Sequence, residues 1–163
     1  MNPIQTPAAY AIARRAHAGL EALQPLAQLA ARLFVAQAFF ASGLTKLRDW
    51  ETTLALFSDE YQVPLLSPAV AAFMGTAGEL VLPVLLALGL AGRFAALGLF
   101  IVNVVAVISL AEVAPAALAQ HHLWGALLLM LVLWGPGRWS LDAWLARRTG
   151  WSARPTHSAQ SDR

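Results

Sequence analysis

Several polar side chains stand inside long apolar stretches, where they could handle protons or bind a charged ligand. A charge within a membrane-spanning helix costs roughly 2.5–3.5 kcal/mol on insertion scales, so such residues are functional candidates. Glu79 precedes Pro83 by four residues. Because proline has no amide hydrogen, the backbone carbonyl of Glu79 loses its usual helical donor. Glu79 thus offers a carboxyl group and a free carbonyl together. The full set of candidates is Arg32, Gln37, Glu79, Asn103, His121 and His122.

Arg32 is the expected partner of Glu79. Arg32 lies about 9 Å into its apolar stretch, and Glu79 lies about 16 Å into the next one from the opposite side, at 1.5 Å per residue. A guanidinium could bridge the remaining distance. The spacing favours a structural ion pair over a proton-handling or ligand-binding Glu79, although the two roles are compatible. Lys46, on the same helical face as Arg32, is expected to snorkel to the outer boundary or to join the acids that follow it.

The other polar positions favour structural roles. Gln37 and Asn103 are expected near the middle of their stretches, where amides form interhelical hydrogen bonds worth about 0.6–2 kcal/mol. Adjacent His121 and His122 point in different directions on a helix, so they cannot chelate one ion together. His122 with Glu112 is a weak metal candidate, and His122 is also a candidate for contacting a quinone or relaying protons. The favoured interpretation is that these are ordinary polar histidines at the membrane interface.

Four apolar stretches must position these side chains. Each is close to the ~20 residues that a helix needs to cross a ~30 Å hydrocarbon layer. The stretches cover residues 26–44, 68–90, 93–110 and 115–135. They predict an all-α, polytopic membrane four-helix bundle over residues 26–146. Residues 1–25 are expected to form a cytoplasmic amphipathic segment, and residues 147–163 a disordered cytoplasmic tail.

The distribution of basic residues predicts the orientation. The first connection has Lys46 and Arg48 outnumbered by four acids, and the third connection has no Lys or Arg. Because basic loops stay cytoplasmic, both termini are predicted on the cytoplasmic side of a bacterial inner membrane. Apart from Arg32, inside the first stretch, the remaining basic residues all lie in the N-terminal segment, the second connection or the C-terminal segment: Arg14, Arg15, Arg93, Arg138, Arg147, Arg148, Arg154 and Arg163.

The composition excludes several classes of function. Hydrophobic residues make up 58% of the chain and charged residues 12%, against about a quarter charged in soluble proteins. The basic residues flank apolar stretches, so they indicate topology and contact with the lipid bilayer rather than nucleic acid. The chain has no cysteine and therefore cannot exchange disulfides or hold an iron–sulfur cluster through its own thiolates.

Three motifs, in order over residues 30–146, resemble the DoxX family of small bacterial membrane proteins. Each also has an architectural interpretation. Pro136 between two glycines ends the last stretch, and Ser140 and Asp142 are expected to cap a helix over residues 141–148. The motifs are Arg32 with Phe40, Gly43, Lys46 and Leu47; Gly78-Glu79-Leu80 with Leu88-Gly89-Leu90 and Arg93; and Gly135-Pro136-Gly137-Arg138-Trp139-Ser140-Leu141-Asp142.

The resemblance implies a four-helix membrane bundle and leaves the function open. The resemblance first implies that the protein is a subunit of a quinone-linked or oxidoreductase-associated redox system. There Glu79 or His122 would handle protons near a quinone, while Lys46 and Arg32 would stabilise negative charge. The alternatives are a non-enzymatic membrane scaffold and a small oligomeric transporter. The expected partners are a soluble oxidoreductase, another membrane subunit or further copies of the chain.

Overall fold

The structure is a computed structural model that describes residues 7–149. These residues form helices joined by short connections, and no strand occurs among them, which confirms the all-α prediction. The helices are α1 (Pro7–Arg48), α2 (Trp50–Asp59), α3 (Pro68–Leu88), α4 (Gly92–Ile108), α5 (Pro115–Trp134) and α6 (Leu141–Thr149).

Three helices are long and apolar enough to cross a membrane: α1 over Tyr10–Arg48, α3 and α5. The fourth apolar helix, α4, has 17 residues. At 1.5 Å per residue it extends about 26 Å, slightly less than the ~30 Å of a hydrocarbon core. The apolar helices point to an integral membrane protein.

α1 differs from the prediction because it is one continuous helix of 42 residues. The separate segment expected over residues 1–25 is joined to the first apolar stretch, and Pro25 lies inside the helix without ending it. A proline within a helix costs one hydrogen bond, but here Pro25 is buried, and its packing offsets part of that cost. The tail predicted over residues 147–163 begins within α6, and residues 150–163 lie outside the described part.

The connection between α3 and α4 is tied down by a carboxylate from near the C-terminus. Gly89 ends α3 in the left-handed conformation, with φ of 67°. Asp142 then accepts hydrogen bonds from the backbone N–H groups of Ala91 and Gly92, both at 2.8 Å. Ser140 caps α6 as predicted, since its Oγ accepts from Ala143 N at 3.1 Å. The prediction that Asp142 also caps α6 is wrong, because its carboxylate accepts hydrogen bonds from the free N–H groups at the start of α4 instead.

The helices pack as antiparallel neighbours around an apolar core. Val35 and Phe39 of α1 meet Leu86 of α3, Leu99 of α4 and Leu128 of α5, and all five are buried. A smaller cluster fixes α2 to the start of α3 through Phe57, Ala71 and Ala72. The bundle therefore has two ends, an α2 end and an opposite end formed by residues 135–140, called here the closing loop.

Candidate functional site

A buried ion pair joins α1 to α3. Lys46 Nζ lies 2.6 Å from Glu79 Oε2, with 19% and 9% of the two side chains exposed. Lys46 Nζ also donates to Ser42 Oγ at 3.0 Å. The ammonium thus has two acceptors from the chain and one further N–H, and the carboxylate is neutralised by a cation from another helix.

The close approach of α1 and α3 creates this pair. A Cβ on Gly43 would lie only 3.0 Å from the Leu80 side chain and 3.1 Å from the Glu79 backbone. Lys46 follows Gly43 by three residues and so shares its helical face. The expectation that Lys46 snorkels outward is wrong, because its ammonium turns to Glu79 of α3 and to Ser42 of α1.

A cavity of about 430 Å³ lies next to the ion pair at the α2 end. Its wall is mostly apolar, and Met74, Ile101 and Ile108 on that wall are each more than half exposed. The cavity therefore opens on the side surface of the bundle, where lipid would lie. Its remaining lining comes from Phe57, Tyr61, Val63, Pro64, Leu66, Ala71, Gly75, Val102, Val105, Ala106 and Ser109.

The segment between α2 and α3 closes the α2 end of the cavity. Gln62 N donates to Ser109 O at 2.8 Å, which holds this segment against the end of α4. Tyr61 stacks on Phe57 with ring centroids 4.8 Å apart. Burial raises the pKa of Tyr61, and the negative charges of Glu79 and Glu60 act in the same direction. A neutral hydroxyl, able to donate and accept, therefore faces the same cavity as the ion pair.

Arg32 does not pair with Glu79, so that prediction is wrong. Its guanidinium is 1% exposed and donates to four backbone carbonyls. Gly43 marks the level of Glu79, and Arg32 lies eleven residues earlier, about 16 Å away along α1. Two of these carbonyls, those of Leu86 and Ala87, lie at the C-terminus of α3, where helix carbonyls carry partial negative charge. The other two acceptors are the carbonyls of Pro136 and Trp139 in the closing loop.

Asn103 forms the interhelical hydrogen bonds that were predicted for it. Its Oδ1 lies 2.8 Å from His121 Nδ1, and its Nδ2 donates to His121 O at 3.0 Å. A second cavity of about 340 Å³ is lined by His121 and His122. His122 is therefore placed on a different cavity from Glu79. Within residues 7–149, no group of three potential metal-binding side chains occurs, so Glu112 is not brought together with the two histidines.

Gln37 lies closer to one end of the bundle than expected. It lines a surface groove together with Pro83, Val84, Ala87 and Leu88, which belong to the last part of α3. Its side chain is exposed rather than packed between helices. The groove is separate from the cavity at the ion pair, so Gln37 and Asn103 do not join Lys46 and Glu79 in one cluster.

Three residues of the site were not predicted: Ser42, Tyr61 and Ser109. Ser42 could have been found, because it precedes Lys46 by four residues and residues at this spacing are neighbours on a helix. Tyr61 and Ser109 lie where α2 and α4 end. Contacts made by such connecting segments leave no periodic pattern in the sequence, so these two residues could not have been predicted.

The chain is therefore an all-α membrane protein with a buried ion pair beside an apolar cavity. The model of the DoxX family matches residues 27–112, which is more than half of the sequence. The chain belongs to the DoxX family. The match contains the ion pair, and it ends before the closing loop that also resembled the family. No match was found among curated proteins, and none among solved structures.

Proposed function

We propose that this DoxX protein is a subunit of a redox system in the bacterial inner membrane and binds a quinone in the cavity beside Lys46 and Glu79. The cavity carries the proposal, because it combines an apolar wall open to the lipid side with an ion pair and a phenol. Such a site suits a ligand with an apolar body and a polar head. Pockets of this kind commonly fix a ligand through few polar groups.

The polar groups match the two oxidation states of a quinone. The third N–H of Lys46 can donate to a quinone carbonyl, and Glu79 Oε1 can accept from a quinol hydroxyl. Two-electron reduction of the ring also takes up two protons, one on each oxygen. The electrons would come from a partner oxidoreductase, soluble or membrane-bound. This chain would bind and orient the quinone and hold a proton near its oxygens.

The proposed topology has four crossings with both termini cytoplasmic. Arg93, Arg138 and Arg147 gather at the closing-loop end, and the acidic α2 lies at the other end. This distribution supports an inward-facing closing loop. α4 would complete the crossing despite its 17 residues, because local thinning of the bilayer accommodates a short span at modest cost.

A photoreactive quinone analogue tests the proposal. On purified protein, labelling is expected at the cavity segments, residues 60–66 and 101–109, and unlabelled quinone should compete. Glu79→Gln keeps the shape and a hydrogen bond to Lys46 but removes the acceptor charge, so labelling should fall. Glu112→Gln is the matched control, since Glu112 is exposed and away from the cavity. Labelling spread over all lipid-facing helices, or unaffected by Glu79→Gln, would contradict quinone binding at this site.

A non-enzymatic scaffold is the second candidate. It is favoured because each buried charged group has partners within the protein: Lys46 neutralises Glu79, and Arg32 donates hydrogen bonds to four carbonyls. Groups with such partners need no ligand. Under this alternative the protein would hold a partner at the membrane. Glu79→Gln would then leave assembly with the partner and activity of the system unchanged while folded protein remains in the membrane.

A further inference from the structure

We propose that a third cavity, at the closing-loop end, binds the phosphate of an anionic phospholipid. The cavity has a volume of about 590 Å³ and lies between the N-terminal half of α1, the start of α4 and the closing loop. Arg93 and Arg138 line it, together with the amides of Gln24 and Gln28 and the indole of Trp134. Guanidinium groups and amides are donors that suit a phosphate.

The net charge of this cavity is positive. Among the residues that the structure describes, neither Arg93 nor Arg138 forms a salt bridge. The one acid on the wall, Glu21, lies 3.3 Å from His17 on its own helix and not within salt-bridge distance of either arginine. The wall therefore carries two positive charges against one negative charge, and a bound anion would balance the excess.

The cavity wall is held in place before any ligand binds. Arg32 Nη1 donates to the carbonyls of Pro136 and Trp139, each at 2.9 Å, and these residues flank Arg138. Arg93 Nη2 donates to Leu133 O at 3.3 Å, which holds its guanidinium against the end of α5. The backbone around Arg138 and the guanidinium of Arg93 are thus positioned in advance, which lowers the entropy lost on binding.

A lipid fits the surroundings better than free phosphate. Beyond the cavity, Trp134 is 69% exposed and Leu133 58% exposed on the apolar surface of α5. Acyl chains can lie along this surface while the headgroup occupies the cavity. Tryptophan is also enriched at the membrane–water boundary, where headgroups lie. Basic pockets between spans on the cytoplasmic side are known to take anionic headgroups.

The test measures retained lipid by native mass spectrometry on the full chain from nanodiscs of phosphatidylglycerol and phosphatidylcholine. Wild type should retain phosphatidylglycerol preferentially. The double variant Arg93→Gln/Arg138→Gln should lose roughly tenfold or more of that retention, as expected for two basic contacts. The control, Arg147→Gln/Arg148→Gln, removes the same charge from α6, outside the cavity. It should change retention by less than about twofold on the same scale.

Several outcomes would overturn the proposal. Equal losses in the two double variants would show a diffuse surface charge instead of a site. Displacement of the lipid by millimolar inorganic phosphate would assign the cavity to a soluble anion. If the Gln variant unfolds, Arg93→Lys/Arg138→Lys keeps the charge. It should retain phosphatidylglycerol well above phosphatidylcholine, and failure to do so in folded protein would also reject the site.

Discussion

At the residue scale, the energetics of Lys46 and Glu79 depend on both being present. Transfer of a single charge out of water costs several kcal/mol, and a close hydrogen-bonded partner offsets most of it. The 2.6 Å contact and the low exposure of both groups meet that condition. Ser42 supplies a further acceptor for the ammonium. The pair is consequently near neutral in stability as a unit but costly to break.

Breaking the pair on one side should destabilise the protein. Lys46→Met leaves the Glu79 carboxylate buried without a cation, which costs about 3–5 kcal/mol. Lys46→Met/Glu79→Leu removes both charges and should recover most of the loss. Thermal unfolding in detergent measures both variants. Equal stability of Lys46→Met and wild type would mean that the pair is solvated in the membrane-bound protein.

The ionisation of the Tyr61 phenol can be measured and reports on the cavity that it lines. The chain has two tyrosines, so in Tyr10→Phe the phenolate absorbance reports Tyr61 alone. Its pKa should exceed the ordinary value of about 10, chiefly because burial disfavours the phenolate. A raised folded-state pKa adds stability below the unfolded value, and this contribution is lost as pH rises through the folded pKa. Glu79→Gln should lower the Tyr61 pKa, and an unchanged value would show that the two groups do not interact.

At the element scale, the hydrogen bonds of Arg32, called here the Arg32 joint, hold α1 against the end of α3 and the closing loop. One planar guanidinium donates to four carbonyls from two separate segments. Gly89 makes room for it, since a Cβ there would lie 3.0 Å from the guanidinium carbon. The joint fixes the start of α4 and the exit of α5 relative to α1.

Arg32→Lys should weaken this joint although it keeps the charge. An ammonium has three donors in a compact head and cannot reach all four carbonyls, and each buried group left unpaired costs about 1–3 kcal/mol. Arg48→Lys is the control, because Arg48 is an exposed residue at the end of α1. A shared unfolding midpoint for the two variants would contradict the role of Arg32.

The periodicity and the length of the apolar stretches predicted the helices well. They did not predict which groups the buried charged side chains contact. Asn103 was correctly expected to bridge helices, since a mid-span amide has few alternatives. Arg32 was assigned to Glu79 because opposite charges attract, but the level of each charge depends on how α1 is placed along α3. The close packing of Gly43 against Leu80 and the Glu79 backbone fixes that placement and brings Lys46, three residues later, to the carboxylate. A contact between two helices, rather than charge alone, therefore decides which cation meets Glu79.

At the scale of the whole molecule, charge and polarity divide the bundle into two ends. The α2 end carries most of the acids and the cavity at the ion pair, and the closing-loop end carries most of the arginines and the cavity of about 590 Å³. A quinone and an anionic lipid would thus approach from opposite leaflets. This separation requires that α1, α3, α4 and α5 all cross the membrane, and α4, with 17 residues, is the shortest of the four.

Because the chain has no cysteine, single cysteines report the topology without background. Leu65, fully exposed between α2 and α3, and Glu112, between α4 and α5, are expected outside the cytoplasm. Arg93 and Arg147 are expected inside. A membrane-impermeant maleimide should label Leu65→Cys and Glu112→Cys in cells with a permeabilised outer membrane, and the other two only after the inner membrane is opened. Labelling of Arg93→Cys and Glu112→Cys from the same side would show that α4 does not cross. The assignment of the two cavities to opposite leaflets would then be wrong.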